Sequence, residues 1–217
     1  MYNTRMPIAE ILSNPVSGIM FIVGIVLAVT VHEFSHAKMA DHLGDPTPSM
    51  QGRVTLNPKA HLDLMGSLLF LIIGFGWGKP VVYDPYNLEN PRRDAALIAL
   101  AGPGSNALFA LLCSGLLYLS TFVDQAEVLV IGRALLMHTI FANVALGVFN
   151  LLPIAPLDGF KIVGGALSDE RAREWYGLER YGFIFLMMMI FPLVGGRSVL
   201  DIVVSPVVSG VLGVLMP

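Results

Sequence analysis

Residues 16–40 form an apolar run long enough for a helix to cross a bilayer, and its last third holds His32, Glu33 and His36. A crossing helix needs about 20 mostly apolar residues, and ionisable groups inside one are costly unless they face protein or water. The rest of the chain has the same character. Of 217 residues, 55% are hydrophobic and 13% charged, against about a quarter charged in soluble domains. The chain therefore reads as an all-α polytopic membrane protein. One membrane-embedded domain is expected over 1–217, with a core at about 16–165 and C-terminal helices at about 166–217. The net charge of −3 gives no footprint for nucleic acid. No small-residue cleavage site follows the first run, so that segment is expected to be retained rather than removed as a signal peptide. A single cysteine, Cys113, excludes an internal disulfide and reads as a buried hydrophobe.

Further apolar runs cover 62–77, 95–123, 128–154, 181–194 and 199–215. Runs one, three and four are full spans, and the last two are short hydrophobic helices. Residues 50–58 and 79–85 each read as a short strand bounded by Pro, Gly or Asn. Pro91 suits the first turn of the third helix. Lys38, Arg53, Lys59, Lys79, Arg92 and Arg93 lie between runs one and three, and Lys161, Arg171, Arg173 and Arg180 follow run four. The connection at 121–127 is acidic. Cytoplasmic loops are the Lys- and Arg-rich ones, so run one is expected to enter the cytoplasm, run three to leave it and run four to return. That scheme works only if residues 62–77 do not cross fully, so they are expected to be re-entrant or to lie partly in the interface, the competing reading being a short but complete span. Irregular backbone is tolerated at such depth where protein or a water-filled cavity covers it.

His32 and His36 are four apart, so on a helix both imidazoles reach one metal ion. Zinc in catalytic sites takes three protein ligands and keeps a fourth position open to water. Glu33 flanks the same face and is placed to move a proton from that water to a leaving amine. The candidates for a third ligand are His42, His61 and Asp158. His42 faces away from His36 on a continued helix. His61 lies in the strand-like segment and reads as solvated or bonded to backbone. Asp158, at the foot of run four, shares the membrane depth of the histidines in the expected topology.

The segments His32-Glu33-Phe34-Ser35-His36 and Asn150-Leu151-Leu152-Pro153-Ile154-Ala155-Pro156-Leu157-Asp158-Gly159 together resemble the site-2 protease family of intramembrane zinc metalloproteases. Gly44-Asp45-Pro46-Thr47, Arg53-Val54-Thr55-Leu56-Asn57-Pro58, the run 75–81 and Ala101-Gly102-Pro103-Gly104-Ser105-Asn106 resemble its compact prokaryotic branch. The resemblance implies one Zn²⁺ held by His32, His36 and Asp158, with Glu33 as general base. It also implies substrates that are membrane-anchored proteins, such as transcription regulators and anti-sigma factors, cut in regulated intramembrane proteolysis. A prokaryotic cell membrane, with the site open to the cytoplasm, is the expected location. Asn150 occupies the position that in the family holds substrate or the tetrahedral intermediate, and its alternative role is to cap backbone freed by Pro153. Many relatives insert a PDZ domain between the helices corresponding to runs three and four. Here that loop has about seven residues.

A helical peptide bond resists attack, so the edge at 51–56 is expected to pair with an unwound substrate, with Gln51, Val54 and Thr55 as binding residues. The alternative for that segment is a plug shielding the metal. His138 reads as an interhelical hydrogen bond, Gly102, Gly104 and Asn106 as a close helix contact with Asn106 alternatively touching the active-site cavity, residues 186–189 as lipid-facing or packing surface, and Arg171, Arg173, Trp175 and Tyr176 as an interfacial amphipathic helix. The rival functions are metal-ion transport, which would tolerate loss of Glu33, and a non-catalytic membrane scaffold.

Overall fold

The computed structural model describes residues 11–74, 76–123, 127–194 and 197–216. The opening residues of the chain, Phe75 and residues 124–126 of the acidic connection lie outside them.

Helix α1 (Pro15–His42) starts on Asn14, whose side chain accepts the Ser17 N–H at 3.1 Å, with proline in its first turn. It ends where Gly44 adopts φ +102°, a conformation that favours glycine. The short helix α2 (Thr47–Met50) and a 3-10 turn (Pro58–Ala60) lead to α3 (Leu64–Ile73). A second 3-10 turn (Pro85–Asn87) precedes α4 (Pro91–Ser120), and α5 (Glu127–Asn150) follows it. Then come α6 (Asp158–Ala166), α7 (Asp169–Tyr176), α8 (Gly182–Ile190), a two-stranded hairpin β1 (Pro192–Val194) and β2 (Arg197–Ser198), and α9 (Val199–Leu215).

Among the described residues α1, α4 and the 129–150 part of α5 are long and apolar enough to cross a membrane. They pack pairwise against one another, and α6 packs on α4. Small residues set the approach. Ala28, Ala37, Ala40, Ala99 and Ala110 are buried, and a Cβ on Gly24 would lie 3.0 Å from the backbone of His138. Lipid supplies no hydrophobic drive between helices, so close backbone contact is the main source of attraction there. On the side that meets α9 an apolar cluster joins Ala110, Cys113 and Leu117 of α4, Ile140 and Val144 of α5, and Val204, Val208 and Leu212 of α9. Cys113 is the buried hydrophobe expected.

Run two becomes α3, ten residues or about 15 Å of helix, half a hydrocarbon core. Asp63 caps its start through the Gly66 N–H, and Gly74, at φ +77°, ends it. The chain then comes back to its starting point. Leu62 bridges Gly78, and the Lys79 N–H donates to the His61 carbonyl at 2.7 Å.

The strands expected at 50–58 and 79–85 do not form. Residues 47–50 are helical, and 51–57 and 79–84 carry no ladder. Side chains occupy the backbone groups that a neighbouring strand would have taken. The Arg53 guanidinium donates to the carbonyls of Ala60 and Lys79. Glu33 accepts the Val81 N–H at 3.2 Å, and the buried Asp45 accepts the Asp84 N–H at 2.8 Å. Burial acts to raise the Asp45 carboxyl, but bonds from Thr47, Asn87 and Asp84 outweigh it and hold the group below the usual carboxylate range.

Candidate metal centre

His32 and His36 occupy successive turns of α1, their rings edge-on at 4.5 Å. Asp158 stands in the first turn of α6, after the proline-rich stretch that stops α5. Its Oδ2 lies 3.1 Å from His32 Nε2 and 3.3 Å from His36 Nε2. The three ligand atoms fall within 4.8 Å of one another.

The outer nitrogens fix which atoms face inward. His32 Nδ1 lies 2.6 Å from Asn106 Oδ1, and His36 Nδ1 lies 2.7 Å from the Ile98 carbonyl. Both partners are acceptors, so both Nδ1 atoms donate and both Nε2 atoms present lone pairs. Pro103 lies five residues beyond Ile98 in α4 and lacks the N–H that would bond the Ala99 carbonyl. Asp158 Oδ2 is buried with no hydrogen-bond donor. Three atoms able to ligate a metal thus converge on one point. Ligands of a tetrahedral zinc stand about 3.3 Å apart, given zinc–nitrogen and zinc–oxygen bonds of about 2.0–2.1 Å. The donor set and its spacing fit that ion.

A polar chain locks the arrangement across three helices. The Asn106 amide donates to the Ala28 carbonyl at 3.1 Å and to Asn143 Oδ1 at 2.8 Å, and Asn143 donates to the Thr139 carbonyl at 2.8 Å. Both asparagines are fully buried. Gly102 leaves room for the ligand rings, since a Cβ there would fall 2.6 Å from His32 Cε1. The close contact expected at Gly102 is therefore made to imidazoles. Asn106 reaches the site through His32, in line with its alternative reading, whereas the amide chain it forms with Asn143 has no counterpart in the sequence reading. Their signal was present, because amides inside apolar runs need partners.

Glu33 lines the same pocket of about 150 Å³, with its Oε2 bonded by Val81 N–H and 3.8 Å from Arg53 Nη2. Burial pushes the Arg53 guanidinium down, opposed by Glu33. Arg53 is buried within the loop it ties together, a role its reading as a topology charge had missed. Asn150 also lines the pocket. One of its amide hydrogens goes to the Leu146 carbonyl at 3.0 Å, which leaves a second.

Other candidates lie elsewhere. His42 ends α1 outside the cluster. His61 is fully buried and bonds the Thr55 carbonyl at 2.7 Å, the backbone partner expected. His138 reaches Ser17 Oγ at 3.2 Å between helices, also as expected. Gln51, Val54 and Thr55 do not line the pocket. Pro80 and Val81 do.

Three apolar helices around a His–His–carboxylate set define a metalloprotease of the membrane. The family model of peptidase family M50 matches residues 122–191, which include Asn150 and Asp158. The protein named "Putative zinc metalloprotease YwhC" of Bacillus subtilis (strain 168) is 35% identical over 176 residues, 79% of this chain and 80% of that protein. Proteins named "Putative zinc metalloprotease Rip2" are similar over 79% of this chain and 66% of their own length. Identity is 30% in Mycolicibacterium smegmatis and 32% in Mycobacterium tuberculosis (strain H37Rv). No solved structure matches the chain. The chain belongs to peptidase family M50, the site-2 proteases: a multi-pass membrane metalloprotease whose metal is zinc.

Proposed function

We propose that this protein is an intramembrane endopeptidase in which His32, His36 and Asp158 hold zinc and Glu33 is the general base. One observation carries the reading: His32 and His36 of the apolar helix α1 and Asp158 at the start of α6 bring three ligand atoms within 4.8 Å of one another, beside the Glu33 carboxylate. Zinc held there would supply Lewis acidity and would make water at the site easier to deprotonate near neutral pH. Glu33 takes the water's proton and delivers it to the leaving nitrogen. The Val81 N–H and Arg53 hold its carboxylate in place. The second amide hydrogen of Asn150 is available to an oxyanion.

The substrates are membrane-anchored proteins cut in or near their spans, including transcription regulators, in regulated intramembrane proteolysis. A bilayer surrounds the chain as one membrane-embedded domain. The basic loops at 38–93 and 161–180 support a cell-membrane orientation with the site toward the cytoplasm. The bridge between Leu62 and Gly78 and the short α3 support a re-entrant 62–77. The substrate edge at Gln51, Val54 and Thr55 has weaker support than the pocket wall at Pro80 and Val81, because His61 already takes the Thr55 carbonyl.

The test compares wild type with Glu33→Gln on a panel of single-span reporters in liposomes, with zinc measured in both. Zinc in both and cleavage lost in the variant alone is the expected result. Metal flux that survives Glu33→Gln, with no cleavage by either protein, would replace this reading with transport.

A further inference from the structure

The metal pocket has a larger neighbour. A cavity of about 420 Å³ opens beside it, between the start of α4 and the α6–α7 corner, with Arg92, Phe160, Tyr176 and Glu179 in its lining. Tyr83 and Lys161 line both spaces. Lys161 follows Asp158 by three residues, so it lies one turn along the same face of α6. Its Nζ is 5.0 Å from the centroid of the Tyr83 ring. These two side chains form the partition between the metal and the larger space.

The walls are aromatic and braced. Phe160 stacks on Trp175 at 5.0 Å and meets Tyr176 edge-on at 5.8 Å, and the Trp175 indole donates to the Phe160 carbonyl at 2.8 Å. Tyr176 sits against Gly164, where a Cβ would fall 2.6 Å from Cζ. Burial, with Tyr83 nearby, pushes the Tyr176 phenol upward, so it stays a neutral donor. Trp175 and Tyr176, at the end of the helix α7 expected to be interfacial, also support this wall.

The charge is unbalanced. Arg92 pairs at 2.9 Å with Asp169, a carboxylate 89% exposed, and such pairs in water hold weakly. Among the described residues the Lys161 ammonium has no hydrogen-bond or carboxylate partner, only the Tyr83 ring. Glu179 is the carboxylate in the lining. A half-buried ammonium offers three donors to whatever enters.

We propose that this cavity is a substrate subsite for an acidic side chain flanking the cut bond, with Lys161 as its charge partner and Tyr83, Phe160 and Tyr176 as its walls. The proposal rests on the endopeptidase reading of the adjoining centre. Lys161 stands three residues, about 4.5 Å of helix rise, from the proposed ligand Asp158, and an extended peptide advances about 3.3 Å per residue. The acidic residue therefore lies one or two positions from the attacked carbonyl. A lipid headgroup offers the same anionic chemistry, and the experiment separates the two.

Full-length protein in phosphatidylcholine vesicles is given single-span reporters whose cut has been mapped by mass spectrometry. Each of three positions on either side of the cut carries Asp, Asn or Lys in turn. At one position wild type should favour Asp over Lys by about tenfold in kcat/KM, the scale of a partly desolvated charge pair. Lys161→Glu should invert that preference at unchanged zinc content, Lys161→Met should abolish it, and Arg92→Glu should shift it less. Absence of a charge preference at any position overturns the subsite. So does an equal loss by Lys161→Glu on every reporter, which would place Lys161 at the reacting carbonyl or in the fold. A Lys161 effect seen only after adding anionic lipid assigns the cavity to headgroups. If zinc-loaded wild type cuts no reporter better than Glu33→Gln, the endopeptidase reading falls and the subsite with it.

Discussion

Helix α5 carries two contacts side by side, and they obey different rules. On the face toward α1 and α4, Asn143 and Thr139 join Asn106 and His32 in a chain of hydrogen bonds. On the neighbouring face Ile140 and Val144 join Ala110, Cys113 and Leu117 of α4 in the apolar cluster that meets α9. A substitution on the first face leaves a buried donor or acceptor without its partner, whereas one on the second changes volume. Specificity of shape is therefore concentrated on the face that holds the metal ligands, and tolerance on the face toward α9.

This contrast can be broken in order of expected effect. Glu33→Gln should lower cleavage at least about a thousandfold, at the strong end of general-base effects, while zinc content stays at the wild-type level. A variant that lost both would show Glu33 to be structural. Gly102→Ala drives a methyl into both ligand rings and should weaken zinc affinity by about 10- to 100-fold in chelator competition. Retention of wild-type affinity would mean that the rings have other room.

Asn106→Leu removes the acceptor for His32 Nδ1 and should lower zinc affinity by about tenfold. Asn106→Asp keeps that acceptor and should bind zinc better than the leucine variant. Equal loss in both would assign Asn106 to packing alone. In the apolar cluster Leu117→Ala should cost about 2 kcal/mol of stability and leave zinc affinity unchanged. A change in zinc there would erase the distinction between the two faces.

The smallest effect is expected at Asp45. Its carboxyl is held below the ordinary range, so it stabilises the fold above the unfolded carboxylate pKa, and that contribution disappears as pH falls through the folded value. Asp45→Asn should lower the melting temperature by about 2–4 °C at neutral pH and flatten its acid dependence. An acid limb identical to wild type would move that titration elsewhere.

The sequence made the metal site legible through spacing. His32 and His36 lie four apart, and Asp158 follows a helix-stopping run that charge asymmetry brings to the same depth. Three crossing helices followed from apolar length alone. Asn106 and Asn143 were harder to read because their partners lie 74 and 37 residues from Asn106. The strands at 50–58 and 79–85 were misread for a definite reason. Residue patterns report which backbone wants to be extended, and here Arg53, Glu33 and Asp45 took the bonds of a neighbouring strand. Arg53 itself looked like a loop charge, since nothing local marks a guanidinium that will be buried.

The bond between Val81 and Glu33 involves a single hydrogen. A backbone N–H has one proton to give, so a peptide lying along the pocket wall and the carboxylate that moves protons compete for the same donor. Occupancy of that wall and tethering of Glu33 are mutually exclusive at this atom. A guest that captures the Val81 hydrogen frees one side of the carboxylate as it arrives.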